Sequence, residues 1–420
     1  MLAMLAFCAC SSNSDEAGDE QHLWNVTLTA SMGDAATRAL SEGADNAIIA
    51  NFAENDEVVV VDADGSTIVG TLKAQTAGAS TTLTGTLNAL SLAVDEVVTL
   101  RYHSATANYD GQVGTLAGIS ASQDYAEGTL TVKTIEPLEF TTTGVTLAAK
   151  QSITKFSFID VSTSADVSVK TFGVAAVGLV QSIATNGTET VGAVTGTLVT
   201  ASPDAYIALR NNVAGKQRYY FTVKDEAGNW YTGTKSAPLE NGRNYATSVK
   251  LTKLATLTSS SDVGTIGVVD GLPAIVVEIN STKKAVALMN AGALCPEHYG
   301  TYYIFANLAS GLTDGWYVPS KDELDALAAI TNAWGAPNGV NGRTFTVSEG
   351  KTFFMPAAGL DDGDNDPHDF LYVSTYGYYW SATNYNEDLA YCLSFGSTSN
   401  TTLSDYKIDG LTVRPFHALQ

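Results

Sequence analysis

From Glu57 to Leu254 the chain is a succession of short runs in which Val, Thr, Ile and Tyr alternate with polar residues, and no amphipathic helix of three turns interrupts them. A period of two over five to nine residues, bounded by turn dipeptides, is the signature of half-buried strands. Glu57–Asp62 and Thr67–Lys73 flank Asp64-Gly65, a hairpin turn signal. Thr81–Leu87, Glu96–His103 and Gly128–Ile135 continue the series, and Val145–Val161 is long enough to require a break near Gln151. The stretches 74–85 and 104–126, rich in Ala, Ser, Thr and Gly, read as loops or weak strands. Arg218–Asp225 and Asn229–Thr234 form a second clear hairpin, followed by the strand Asn244–Leu254.

Charged residues are 16% of the chain, against roughly 25% in ordinary soluble proteins, so Thr, Ser, Asn and Gly must supply the surface, as suits β-structure. The formal net charge of −22 repels nucleic acid and anionic lipid headgroups and argues against either as a partner. At 420 residues two to four domains are expected, at roughly 150 residues each. The four cysteines and five histidines lack the close pairing that a zinc site needs.

The segment Trp24–Leu40 stands apart from this series. Trp24, Val26, Leu28 and Ala30 face one way, and Asn25, Thr27 and Thr29 the other. A small-residue tether then leads to a lone arginine in Ala36-Thr37-Arg38-Ala39. Upstream, residues 1–10 are apolar and resemble the end of a signal peptide. Cys10, preceded by Ala9 and followed by a polar run, resembles a lipidation site; an ordinary signal peptide is the alternative. Ten apolar residues are too few to span a bilayer. Residues 11–23 are acidic and polar and read as a spacer.

The order of these features, closing on AGKQRYYFTVKDEAG and PLENGRNYATSVKLTKL, resembles the fimbrillins, the Mfa-like pilins, over residues 8–254. That resemblance implies two transthyretin-like β-sandwich domains, over 39–148 and 149–254, behind a signal peptide and lipobox (1–10) and a removable segment (11–38). It also implies a precursor carried to the outer membrane on a lipid at Cys10, then cut between Arg38 and Ala39 by an arginine-specific protease. Loss of the first strand would expose a groove for a strand from a neighbouring pilin subunit, a recognised mode of association. The other reading of Arg38 is a solvated linker residue.

Composition shifts after Leu254. Pro319 and Ser320-Lys321-Asp322-Glu323 announce a capped helix whose inner face is Leu324, Leu327, Ala328 and Thr331. Strands are expected at Ala274–Ile279, Ala285–Met289, Phe353–Met355, Tyr378–Thr383, Ala390–Phe395 and Leu411–His417. FANLASGLTDGWYVPSKDELDAL, FFMPAAG, GYYWSATNYNEDLAYCLSF and GLTVRPF together resemble an α+β C-type-lectin-like domain of the FISUMP type over 260–420, within a segment taken as 255–420. Tyr317 departs from the arginine usual in that family. The resemblance places a ligand face at Tyr378, Asn384, Tyr385, Asn386, Asp388 and Tyr391, with Ser397–Thr402 beside them, a Tyr/Asn/Ser/Asp surface of the kind that suits adaptable recognition of a glycan or protein; ordinary polar loops are the alternative. Trp316 and Trp380 read as core anchors, and Arg414 as internally paired.

Two further features stay open. Asp361–Asp366 gathers carboxylates as a hard-cation loop does, with Asp362, Asp364 and Asp366 as calcium ligands; it lacks the spaced glutamate of an EF-hand, and a solvated acidic loop is the alternative. Cys295 and Cys392 either form a disulfide, as an exported chain allows, or stay as two buried thiols. No nucleophile elbow, zinc-protease motif or P-loop is present. Formylglycine-generating relatives of the lectin-like fold need a reactive or copper-binding cysteine pair, and no activating His or Lys adjoins these two in sequence. The expectation is therefore a non-enzymatic outer-membrane or fimbrial tip adhesin without a cofactor other than calcium. A non-polymerising surface lipoprotein receptor is the second reading.

Overall fold

The computed structural model describes residues 22–33, 41–42, 48–49, 51–102, 104–293, 295–296, 299–310, 312–313, 315–363 and 369–420. Cys10, Arg38, Ala39, Asp364 and Asp366 lie outside them.

The first unit contains β1 (Leu23–Met32), β2 (Ser41–Glu42), β3 (Ile48–Ile49), β4 (Glu57–Val61), β5 (Ile68–Ala74), β6 (Ser80–Asn88) and β7 (Val97–Tyr102). β8 (Ala107–Asn108) and α1 (Leu116–Ser122) follow, then β9 (Ala126–Ile135), β10 (Leu138–Phe140) and β11 (Gly144–Ala149). The β4–β5 hairpin turns at Gly65, whose φ of +73° only glycine adopts without strain. The eight-stranded sheet runs β10-β9-β11-β1-β6-β5-β4-β7, and β7 pairs again with β9. The expected sandwich is therefore hydrogen-bonded into a closed ring. β9 makes this possible: Ala126 and Glu127 pair with β11 on one side and with β7 on the other. Val26, Leu28, Ala30, Leu72, Leu83 and Leu100 are among the residues filling the interior.

The second unit contains β12 (Ser152–Asp160), β13 (Val169–Ala175), β14 (Leu179–Ile183), β15 (Glu189–Val191), β16 (Val194–Ser202), β17 (Asp204–Asn211), β18 (Gln217–Asp225), β19 (Trp230–Ala237) and β20 (Asn244–Lys253). Its first strand repeats the placement of β1. β12 lies parallel to β20, the last strand of its unit, and antiparallel to β17. β1 likewise lies parallel to β11, the last strand of its ring, and antiparallel to β6.

Residues 104–126, expected to be loops or weak strands, stitch the two units together. β8 pairs with β14, and Tyr109, Ile119 and Tyr125 belong to the second hydrophobic core. Thr115 caps α1 through its side chain. Gln112, fully buried, accepts from the Ala208 N–H and donates to the Ala208 carbonyl, closing a gap in that core. The break near Gln151 is found between β11 and β12. The Gln151 side chain is buried there, donating to Asp124 and accepting from Tyr109 Oη and Tyr125 N–H.

The C-terminal unit contains β21 (Ala255–Thr256), β22 (Ile266–Val269), β23 (Leu272–Ile279), β24 (Thr282–Ala287), β25 (Trp316–Tyr317) and α2 (Lys321–Ala328). After α2 come β26 (Asn332–Gly335), β27 (Gly342–Ser348), β28 (Lys351–Pro356), β29 (Leu360–Asp362), β30 (Asp369–Leu371), β31 (Gly377–Asn384), β32 (Leu389–Phe395), β33 (Asn400–Tyr406) and β34 (Phe416–Ala418). The capping box of α2 is formed in full, and Leu324 and Leu327 are its buried residues. Trp316 and Trp380 are both core residues, and Trp380 Nε1 donates to the Tyr303 carbonyl. The strand expected at Leu411–His417 shrinks to β34, with single bridges at Leu411 and Thr412. Pro415 has no N–H to give a ladder. Arg414, fully buried, uses its guanidinium to hold the Ala287 and Phe354 carbonyls instead. Burial lowers its pKa to about 10.

Candidate functional site: the first strand and the C-terminal surface

β1 is the piece that completes the ring. Nine residue pairs join it to β6, from Leu23–Asn88 to Ser31–Ser80, and four join it to β11. The expected alternation holds: Val26, Leu28 and Ala30 are 6%, 4% and 0% exposed, while Asn25, Thr27 and Thr29 face out. Trp24 is half-buried against the same core. Burying Val26 and Leu28 alone is worth roughly 3–6 kcal/mol. Withdrawing β1 would leave β6 and β11 with unpaired backbone edges and a row of apolar pockets between them. The tether and the Arg38–Ala39 bond lie outside the described residues.

On the C-terminal unit the six expected face residues fall into two places. Asn384, Tyr385, Asn386 and Asp388 form the exposed turn between β31 and β32. Asn386 Oδ1 accepts from the N–H groups of Asp388 and Leu389, fixing the turn from inside. Tyr391 adjoins it, edge-on to Tyr385 with centroids 5.3 Å apart, and Lys321 Nζ lies 5.2 Å from its ring. Lys407 holds the Asn386 and Glu387 carbonyls. Tyr378 is six residues from Asn384 on β31, roughly 20 Å along the strand, and belongs elsewhere. It packs with Tyr372 and Tyr376, which the sequence reading did not single out. The signal was present in the tyrosine-rich run Tyr372–Tyr379, but half of such a run is normally core, as Tyr379 is here.

Asp362 sits in the short β29–β30 ladder opposite Asp369. Among the described residues no group of three His, Cys, Asp or Glu side chains is placed to hold a metal. The Cys295–Cys392 bridge is not formed: both residues are buried and no disulfide joins them. Cys392 points into the core beneath Trp380, its cross-strand neighbour, and packs as a small apolar side chain. Burial, and then the nearby Asp405 and Asp409, push its thiol pKa up, which suppresses the thiolate that exchange requires. Burial also raises Asp409, to about 6, with help from Asp405.

Residues 344–416 match a family described as a domain of unknown function, DUF8237. No curated protein matches the sequence. Similar solved structures include a candidate cell adhesion protein from Bacteroides ovatus, at 13% identity over 55% of this chain and 95% of that one, with a TM-score of 0.31. Another candidate cell adhesion protein, from Bacteroides uniformis, shows 14% identity over 55% and 96% with a TM-score of 0.32. A fimbrial assembly protein from Parabacteroides distasonis shows 10% identity over 63% and 94% with a TM-score of 0.26. Likenesses this distant carry no weight beside the geometry.

Proposed function

We propose that this chain is a subunit of a cell-surface pilus that accepts a strand from a neighbouring subunit in place of β1. The observation that carries the reading is the seat of β1. Its departure would open the ring between β6 and β11 while the other pairings of the ring remain in place. In this scheme the lipid at Cys10 serves export to the outer membrane, and a cut at Arg38–Ala39 frees the strand. In this reading the chain takes a tip position, with β34 held between β24 and β25 rather than offered to a neighbour. The C-terminal unit, read as lectin-like, is then the adhesin that meets a glycan or protein.

An arginine-specific protease and a fluorescent peptide of residues 22–33 test this. The cut chain should begin at Ala39, release residues 22–33 on mild denaturation, and take up the labelled peptide with the fold intact. A cut chain that stays folded yet refuses the peptide would sink the strand-exchange reading. A native N-terminus at lipidated Cys10 would instead support the non-polymerising surface receptor.

A further inference from the structure

Aromatic side chains, Phe370 and Tyr372 exposed and Tyr376 and Tyr378 half-buried, gather on one part of the C-terminal unit, away from the β31–β32 turn. Tyr372, 53% exposed, lies 5.9 Å from Tyr376 and 6.2 Å from Tyr378, ring centroid to centroid. Tyr376 and Tyr378 are 6.2 Å apart. Phe370, also 53% exposed, stands two residues before Tyr372 and lies 5.0 Å from Tyr302. Apolar surface gathered in one place, rather than scattered singly, marks an interaction site.

The mounting is rigid. Tyr372 and Ser374 hold φ of +59° and +64°, a backbone region that costs free energy for residues other than glycine. Their loop is pinned from three sides. Ser374 N–H donates to the Ala357 carbonyl, Asn341 Nδ2 donates to the Ser374 carbonyl, and Tyr299 Oη meets Ser374 Oγ at 2.9 Å. Gly396 lets the Tyr376 ring lie close, since a Cβ there would sit 2.7 Å from its Cε1. Arg343, nine-tenths buried, clamps the Gly396 and Ser399 carbonyls at 2.8 and 2.9 Å, so Gly396 is held fixed beneath the Tyr376 ring.

We propose that Tyr372, Tyr376 and Tyr378, flanked by Phe370, form a stacking platform for a neutral polysaccharide. This rests on the reading of the C-terminal unit as the ligand-binding part, and it moves the contact from the Asn384–Asp388 turn to the tyrosine cluster. Three observations select this occupant. The rings are inclined to one another by 41° to 86°, giving facets that suit successive sugar rings better than one flat protein surface. Each facet offers an aromatic face to sugar C–H groups and a phenol hydroxyl to sugar hydroxyls. The net charge of −22 disfavours sulfated or sialylated chains.

The test is affinity electrophoresis of the full chain through gels containing soluble mannan, xylan or mixed-linkage β-glucan. At least one should retard the wild-type protein. Tyr372→Ala should weaken that association about three- to tenfold, the range a single aromatic stacking contact supplies, and Tyr372→Phe should restore it. Tyr385→Ala, on the distant turn, should leave it unchanged. Retardation by none of the three polymers, or equal retardation of wild type and Tyr372→Ala, overturns the proposal. So does self-association in sedimentation that Tyr372→Ala abolishes without any polysaccharide effect, which would make the cluster a contact between copies. Peptide uptake by the cut chain is read separately. A chain that binds polysaccharide but refuses the peptide refutes the pilus reading and leaves the platform standing.

Discussion

Leu28→Ala probes the seat of β1 directly. Leu28 is 4% exposed and lies opposite Leu83, itself fully buried, in the middle of the nine-pair ladder with β6. Truncating a leucine in such a site removes its transfer free energy and leaves a cavity, a cost of about 2–5 kcal/mol. The ring is continuous on both sides of β1, so little collapse can refill the space, and a value near 3 kcal/mol is expected. Read as native-state amide exchange at β1 and β6, that corresponds to roughly a hundredfold loss of protection. Thr27→Ala, on the outward face, should change exchange by less than about twofold, given that surface substitutions stay within roughly 0.5 kcal/mol. The decisive comparison follows cleavage and uptake of a wild-type 22–33 peptide. The Leu28→Ala defect should vanish, whereas a Leu83→Ala defect should persist. Protection within threefold of wild type in uncut Leu28→Ala would show that β1 does not seal the core, and the reasoning from its register would fail.

Other perturbations read other parts of the fold. Ser320→Ala removes the acceptor for the Glu323 N–H and should cost the C-terminal unit about 0.5–2 kcal/mol in denaturant unfolding. Gln151→Met strips partners from Tyr109 Oη and Asp124 at the β11–β12 joint, and should destabilise by about 1–3 kcal/mol. Asp409 has a folded pKa of about 6, above the usual carboxylate value, so the folded state holds the proton more tightly than the unfolded chain. Stability of the C-terminal unit should therefore fall as pH rises from about 4 through about 6, and Asp409→Asn should flatten that slope in thermal melts.

Strands of the first ring that bury one face were legible because a period of two survives, in Val26-Leu28-Ala30 as in Val145-Leu147-Ala149, while Val58–Val61, buried on both faces, shows as a continuous apolar run. The capping box of α2 was legible because its chemistry is local. Closure of the ring was not, because it depends on β9 pairing on both edges, a long-range fact that no local pattern carries. The stitching segment was hidden for a related reason. Gln112 and Gln151 look like surface residues in sequence, and only the partners brought from Ala208 and Asp124 make their burial tolerable. At the C-terminal surface the tyrosines were visible but their sorting was not. Tyr378 and Tyr379 are chain neighbours, yet one joins a half-exposed cluster and the other lies wholly in the core.

The repeated arrangement of first strands bears on why β1, and not β12, is the one proposed to exchange. Both lie between a parallel last strand and an antiparallel partner, so the groove each would leave has the same construction. The difference is covalent. β12 follows β11 after two residues, one of them Gln151 with its buried hydrogen bonds, so its entry end is fixed to the first ring. Its departure would pull β11 as well, and with it the other wall of the β1 seat. β1 has no such bond to a second core among the described residues. A cut in its tether would therefore convert a structural strand into a bound peptide, held by roughly the free energy of a few apolar side chains and a ladder. In the proposed scheme that would be enough to keep the uncut chain closed, and little enough for another strand of the same pattern to compete.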